Sequence, residues 1–184
     1  MTDNLKLFIE EHINLIDVNK FEVLYDILHT DTSLIIPTKD VTETLFVAGI
    51  NPLNYMETIP IHFLRGSNLP LKDFKIPSTI TGIETRAFHM TNIEKIDIPE
   101  GVIQIAHGVF QACSKLEYVS LPSTLQQIGQ YNFAKCNKLR FITYNGTITQ
   151  FNAILKRRRW ATGDTEDPIT VKCLDGDILS NEVN

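Results

Sequence analysis

Apolar residues recur through the middle of the chain at fixed offsets. Ile83, Ile105 and Ile128 are separated by 22 and 23 residues, and Phe88, Phe110 and Phe133 repeat those intervals. Pro77, Pro99 and Pro122 do the same, each after an apolar residue. Ile93, Leu116 and Leu139 repeat at 23 and 23, which places a one-residue slip between Phe88 and Ile93. Several columns in one register mark an internal repeat. Each unit reads apolar-x-x-apolar-x-apolar: Ile93, Ile96, Ile98, then Leu116, Val119, Leu121, then Leu139, Ile142, Tyr144. Leu71, Phe74 and Ile76 form an earlier copy. The last two apolar positions of each set alternate with polar neighbours, the period of a half-buried strand. A unit this short cannot bury its own apolar face, so the units must stack into a solenoid.

The flanks follow other periods. Leu5, Phe8, Ile9, His12, Ile13 and Ile16 fall on one helical stripe, and Phe21, Leu24, Tyr25 and Leu28 on a second. Asp40 with Glu43 has the spacing of a capping box, and Gly49 suits the stop of that third helix. Asn51-Pro52 suits the start of a fourth, short one. Residues 1–70 therefore read as a helical N-terminal cap whose last part joins the repeat core. Residues 148–184 read as a C-terminal cap, a helix and then a strand over 151–178, with a frayed tail from Ser180. The repeats occupy residues 71–147. The expected class is α+β: a short solenoid of about four β-strand repeats of 22–23 residues between two caps.

Composition narrows the class of function. The chain has 184 residues, 43% of them hydrophobic and 21% charged, which excludes wholesale disorder. No run of 18 apolar residues is present, so no membrane-spanning helix is expected. The start, Met1-Thr2-Asp3-Asn4-Leu5-Lys6, lacks the basic and apolar regions of a secretory signal, and a cytoplasmic protein is expected. Net charge is −5. Residues 1–70 carry −6, residues 71–147 carry +2 and residues 148–184 carry −1. This distribution argues against a nucleic-acid binder, whose domain is normally basic, and suits a basic protein partner for the acidic third.

Ile98-Pro99, Ile105, Val109-Phe110, Cys113 and Leu116, followed by Leu121-Pro122, Ile128-Gly129 and Phe133, resemble the BspA-type leucine-rich repeat. Asn132 and Val109 depart from that pattern, which has Ala there, and Met90 stands in the first Cys column. Gly101, Thr124 and Thr147 replace the Asn ladder of ordinary leucine-rich repeats. Tyr144-Asn145-Gly146-Thr147, Trp160 and the stretch from Ile169 to Ile178 are similar to the closing segment of that family. The resemblance covers about residues 71–178. With a helical lead-in, it also resembles short accessory proteins of bacteria and their phages. The repeat, the expected cytoplasmic location and the absence of catalytic motifs together point to a non-catalytic protein-interaction module, in its concrete form an inhibitor that blocks or redirects a host protein such as a defence factor.

Candidate chemistry is sparse. His12, His29, His62, His89 and His107 form no metal-spaced pair with each other or with a Cys. Cys113 and Cys136 share a column and read as a buried thiol ladder ahead of a disulfide or a metal site. No nucleophile elbow or phosphate loop occurs, so no catalytic residue, cofactor or metal is assigned. The acidic clusters from Gly163 to Asp167 and from Asp175 to Asp177 read as solvated turns. Lys156, Arg157, Arg158 and Arg159 form one basic run, read first as a solvated helix end and second as a patch for an acidic protein or a nucleic acid. Strand alternation directs Asp73, Lys75, Lys95, Asp97, Tyr118, Ser120, Phe141 and Thr143 outward. Tyr118 and Phe141 are adjacent aromatics in one column, the residue type favoured as an interface anchor. Asp73, Lys75, Lys95, Asp97, Tyr118 and Phe141 are thus the expected partner face. A second copy of the chain would be one way to enlarge it. The opposing readings are a nucleic-acid effector using the basic run and an enzyme-like effector in the N-terminal helices.

Overall fold

A computed structural model of the chain describes residues 51–181 except Met56, Pro70, Asp73 and residues 162–166. The three helices expected within residues 1–50 and the cluster from Gly163 to Glu166 lie outside the described residues, as does Asp73. The description begins with a short 3-10 helix, Pro52–Tyr55, where Asn51 Oδ1 accepts the Leu53 N–H at 3.0 Å. The Asx turn and the proline start this element as their positions predict.

The repeats wind two parallel ladders. One sheet holds β1 (Thr58–Ile59), β2 (Gly82–Ile83), β4 (Gln104–Ile105), β6 (Gln127–Ile128) and β8 (Leu155–Lys156) in that order. The other holds β3 (Lys95–Asp97), β5 (Tyr118–Leu121), β7 (Phe141–Tyr144), β9 (Thr170–Cys173) and β10 (Gly176–Leu179). All pairs are parallel except the closing β9–β10 hairpin. Proline follows β3 and β5 and also the segment ending at Ile76, and starts a turn each time: the Ile80, Val102 and Leu125 N–H groups donate to the carbonyls of Pro77, Pro99 and Pro122. Among the described residues the second sheet starts at β3; Leu71 and Ile76 enter the core without a paired strand of their own.

A third ladder lies between the two sheets and is made of turns. Arg86 N–H donates to the His107 carbonyl at 3.0 Å, Phe88 N–H to Val109 at 3.0 Å and Ala112 N–H to Ala134 at 2.8 Å. Two columns of this ladder are left-handed. His62, Arg86, Gly108, Tyr131 and Arg159 have φ between 57° and 60°, and Gly66, Met90, Ala112 and Lys135 between 60° and 67°. The core follows the column arithmetic. Phe88, Phe110 and Phe133 stack with centroids 5.5 and 5.8 Å apart and planes within 3°. Phe63 closes this stack edge-on at one end, 6.2 Å from Phe88, and Trp160 at the other, 6.4 Å from Phe133. Leu53, Ile59, Phe63 and Leu64 belong to the same core, so the end of the first segment joins the repeats as expected.

Three expectations are corrected. Thr91, not Met90, stands in the Cys column: Thr91, Cys113 and Cys136 each donate their N–H to the preceding Phe carbonyl, whereas Met90 is exposed in the left-handed column. The slip therefore lies between Thr91 and Ile93. The C-terminal cap is α1 (Ile148–Ala153), then β8 in the first sheet, then the β9–β10 hairpin in the second. Thr147 and Gln150 form a capping box that starts α1 earlier than expected. The basic run is consequently a strand and turn rather than a helix end, because β8 must pair with β6 to continue the ladder.

Candidate interaction surface

The outer face of the second sheet carries two rows fixed by register. Lys95, Tyr118, Phe141, Thr170 and Leu179 form the first, and Asp97, Ser120, Thr143, Lys172 and Asp177 the second. Lys75, Lys95 and Asp97 are exposed as expected. Tyr118, Phe141 and Thr143 are only half-buried-to-open, and Ser120 is buried at 7% exposure, against the expectation of a fully open face. The cause is lateral packing by flanking side chains. Thr143 Oγ1 lies 3.3 Å from the Tyr118 hydroxyl, and Lys172 Nζ sits 4.0 Å from the centre of the Phe141 ring. The C-terminal segment lies beside these aromatics: Thr170 pairs with Phe141 in the sheet.

Lys172, Thr170 and Leu179 were missed as members of this face. Alternation from Ile169 to Cys173 identifies a strand, but not its neighbour. At the rim, Glu117 and Lys138 pair at 2.8 Å on the surface. This bond holds the Glu117 carboxyl below its usual range and the Lys138 ammonium above its own.

The secondary patch divides. Lys156 is half-buried and points inward, with Nζ donating to the Phe151 carbonyl and, at 3.1 Å, to that of Ile154. It also lies 4.4 Å from the Phe151 ring centre. Burial lowers its pKa to about 8. Lys156 therefore caps the end of α1. Arg157 and Arg158 are exposed, and Arg159 Nη1 donates to the Tyr131 hydroxyl at 2.9 Å. Arg157 lines a groove with Gln104, His107, Gln127 and Gln130.

Cys113 and Cys136 are buried free thiols whose Sγ–H groups reach the Phe88 and Phe110 carbonyls at 3.0 and 3.1 Å. Burial pushes the Cys113 thiol up, so it is a poor nucleophile. Cys173 is also raised, by burial and by Asp175 and Asp177. Among the described residues no group of three His, Cys, Asp or Glu is placed to hold a metal ion. Among them, too, no helix is long and apolar enough to cross a membrane.

Stacked 22–23-residue turns with two parallel ladders define a short leucine-rich-repeat solenoid. Residues 48–155 match six copies of the BspA type leucine rich repeat region, and the chain belongs to that family. Such repeats generally serve as protein-interaction modules, and no catalytic family is indicated. No curated protein matches the chain. It is similar to the crystal structure of a leucine-rich repeat protein from Bacteroides ovatus ATCC 8483, with 27% identity and a TM-score of 0.41, over 48% of this chain and 29% of that one. It is also similar to a leucine rich cell surface protein from Faecalibacterium prausnitzii A2-165, with 30% identity and a TM-score of 0.36, over 44% of this chain and 28% of that one. The chain thus spans less than a third of either matched chain.

Proposed function

We propose that this protein is a non-catalytic module that docks a protein partner on the outer face of its second sheet. The observation that carries the reading is the row Lys95–Tyr118–Phe141–Thr170–Leu179, two aromatics held in register beside one cation. Aromatics on a rigid scaffold bind with little loss of side-chain entropy. In this reading residues 71–147 supply Lys95, Tyr118 and Phe141, β9 and β10 of the C-terminal cap complete the row with Thr170 and Leu179, and the segment up to 70 acts as the other cap. Asp97 and Lys75 lie within or beside the same face, and Asp73 is assigned to it by sequence alternation alone.

Area sets a condition. Five strands of up to four residues offer on the order of 250 Å², while a stable interface takes about 800 Å² per partner. The partner must therefore also grip the rims, such as the Glu117–Lys138 side, or a second copy of the chain must supply area. The finer reading is an accessory protein that blocks or redirects its partner by covering a working surface. A cytoplasmic location suits this reading, since Cys113 and Cys136 use their thiols as hydrogen-bond donors to carbonyls.

The test is capture of partners from nuclease-treated lysate of the native cell by wild type and by Tyr118→Ala/Phe141→Ala. A partner held by wild type and lost by the folded double variant supports the face. Equal capture by both moves the site elsewhere, and a wild-type dimer broken by the variant makes the partner a second copy.

A further inference from the structure

The ladder of turns is one continuous cationic face. Residues 61–68, 85–92, 107–115, 130–138 and 157–161 contain no Asp or Glu and eight Lys or Arg, of which Lys138 is paired with Glu117 from beside the face, in a chain whose net charge is −5. Stacking brings them into columns. His62 precedes Arg86 in one left-handed column, and Arg65 precedes His89 in the column three residues on. Four cationic or titratable side chains thus form a two-by-two array on adjacent turns, about 4.8 Å apart along the stack. Among the described residues neither Arg65 nor Arg86 has an ion pair. Arg86 Nε and His89 Nδ1 are shielded from solvent without a hydrogen-bond partner. Among the described residues the charged neighbours of His89 include Arg65, Arg86, His62 and Lys135, all of one sign. Gly108 shows that the left-handed column accepts glycine, yet His62, Arg86 and Arg159 stand there with φ of 57°, 57° and 59°.

We infer that this turn face is a second binding surface, and that it takes an extended acidic polypeptide segment. Like charges gathered on one rigid face repel one another and are relieved by an anionic partner. A run of about four spacings, near 20 Å, fits a short Asp/Glu-rich segment. A nucleic-acid strand fits less well. It would need a series of aromatic platforms, and Tyr131 is already edge-on to His107 at 5.7 Å with its hydroxyl bonded by Arg159. A longer polyanion would also run past the face onto an otherwise acidic protein. The inference goes beyond the sheet-face reading and stands whether or not that face binds anything.

Fluorescence anisotropy with labelled oligoglutamate, oligoglutamine and oligothymidylate of equal length tests it on the full chain. Oligoglutamate is expected to bind best at low salt, and binding should weaken as salt rises. Arg65→Gln/Arg86→Gln should weaken it about tenfold. Arg65→Lys/Arg86→Lys, which keeps the charge, should restore most of the loss and separates charge from fold. Tyr118→Ala/Phe141→Ala, on the other sheet, should leave it unchanged. Burial and the neighbouring Arg65 and Arg86 hold the His62 and His89 imidazoles below their usual value. Their protonation should therefore tighten binding as pH falls below the ordinary imidazole value of about 6.5, with glutamate ionised down to about pH 4.3. Oligothymidylate binding as tightly as oligoglutamate overturns the inference in favour of a nucleic-acid face. Equal binding of oligoglutamine, or full affinity in Arg65→Gln/Arg86→Gln, overturns it outright.

Discussion

Single residues in this solenoid are constrained by the turn stacked against them, 22 or 23 positions away. Gly129 shows this best. A Cβ there would lie 2.6 Å from the Ala106 oxygen and 2.8 Å from the His107 nitrogen, both backbone atoms that cannot swing aside. Gly108 is different: its φ is +60°, and the nearest atom to an added Cβ is the mobile Gln111 Oε1 at 3.3 Å. Gly129→Ala should cost about 3 kcal/mol through backbone displacement, and Gly108→Ala about 1 kcal/mol through left-handed strain. Urea unfolding midpoints measure both; equal losses would mean that the close approach at Gly129 is readily relaxed. Ile128-Gly129 was legible as a motif. Its reason was not, because it depends on how near Ala106 comes. The left-handed sites at Arg86, Tyr131 and Arg159 carry no sequence signature, since none of them is glycine. Asn132 was visible as a departure from Ala. Its work appears only in three dimensions: it accepts the Val109 N–H and donates to the Gly129 carbonyl, both at 2.9 Å.

Elements are tied to one another by small polar bridges that no periodicity reports. Thr124 Oγ1 accepts the Gly101 N–H and donates to the Val102 carbonyl, each at 3.0 Å, where an ordinary leucine-rich repeat would use Asn. Glu100 extends the tie over three turns: its carboxylate accepts from the Ser123 backbone and hydroxyl, the Thr124 N–H and the Asn145 amide. Burial alone would raise its pKa, but these hydrogen bonds outweigh it and hold the carboxyl below the ordinary glutamate range. A lowered carboxyl pKa adds stability that is present above the unfolded value, about 4.3, and disappears as pH falls through the folded value. Glu100→Gln should therefore lower the melting temperature at neutral pH, and the gap from wild type should close below about pH 4. A gap that persists in acid would assign the loss to packing instead. The slip between Thr91 and Ile93 belongs to this scale too. The apolar columns located it within five residues, but the choice of Thr91 over Met90 required the Phe88 carbonyl, which Cys113 Sγ–H also reaches.

The molecule as a whole is a short stack with a closed end. Trp160 covers the last Phe of the core, its Nε1 donates to the Ser180 carbonyl at 3.2 Å, and the Ser180 hydroxyl accepts the Ile169 N–H at 3.0 Å. β9 and β10 thereby cover the edge of β7 and bury Ile169 and Val171. A chain ending at Ala161 should lose roughly 3–6 kcal/mol from those two side chains alone and self-associate through the bare strand edge. Thermal melts and light scattering check this, and an unchanged, monomeric truncation would show that the hairpin is not a cap. Repeat period, the strands β3, β5 and β7 and the stacked Phe column were determined by the sequence, because an apolar face that recurs every 22 or 23 residues has no place to go but against its own copy. Only the tertiary structure decided where the C-terminal segment lies and that the turns gather the cations. β9 could pair beside Phe141 or fold over it with the same alternation, and register with β7 settles that choice. Arg65, Arg86, Lys135 and Arg157 are scattered through the sequence, and they become one face because stacking converts a separation of one repeat into a few ångströms.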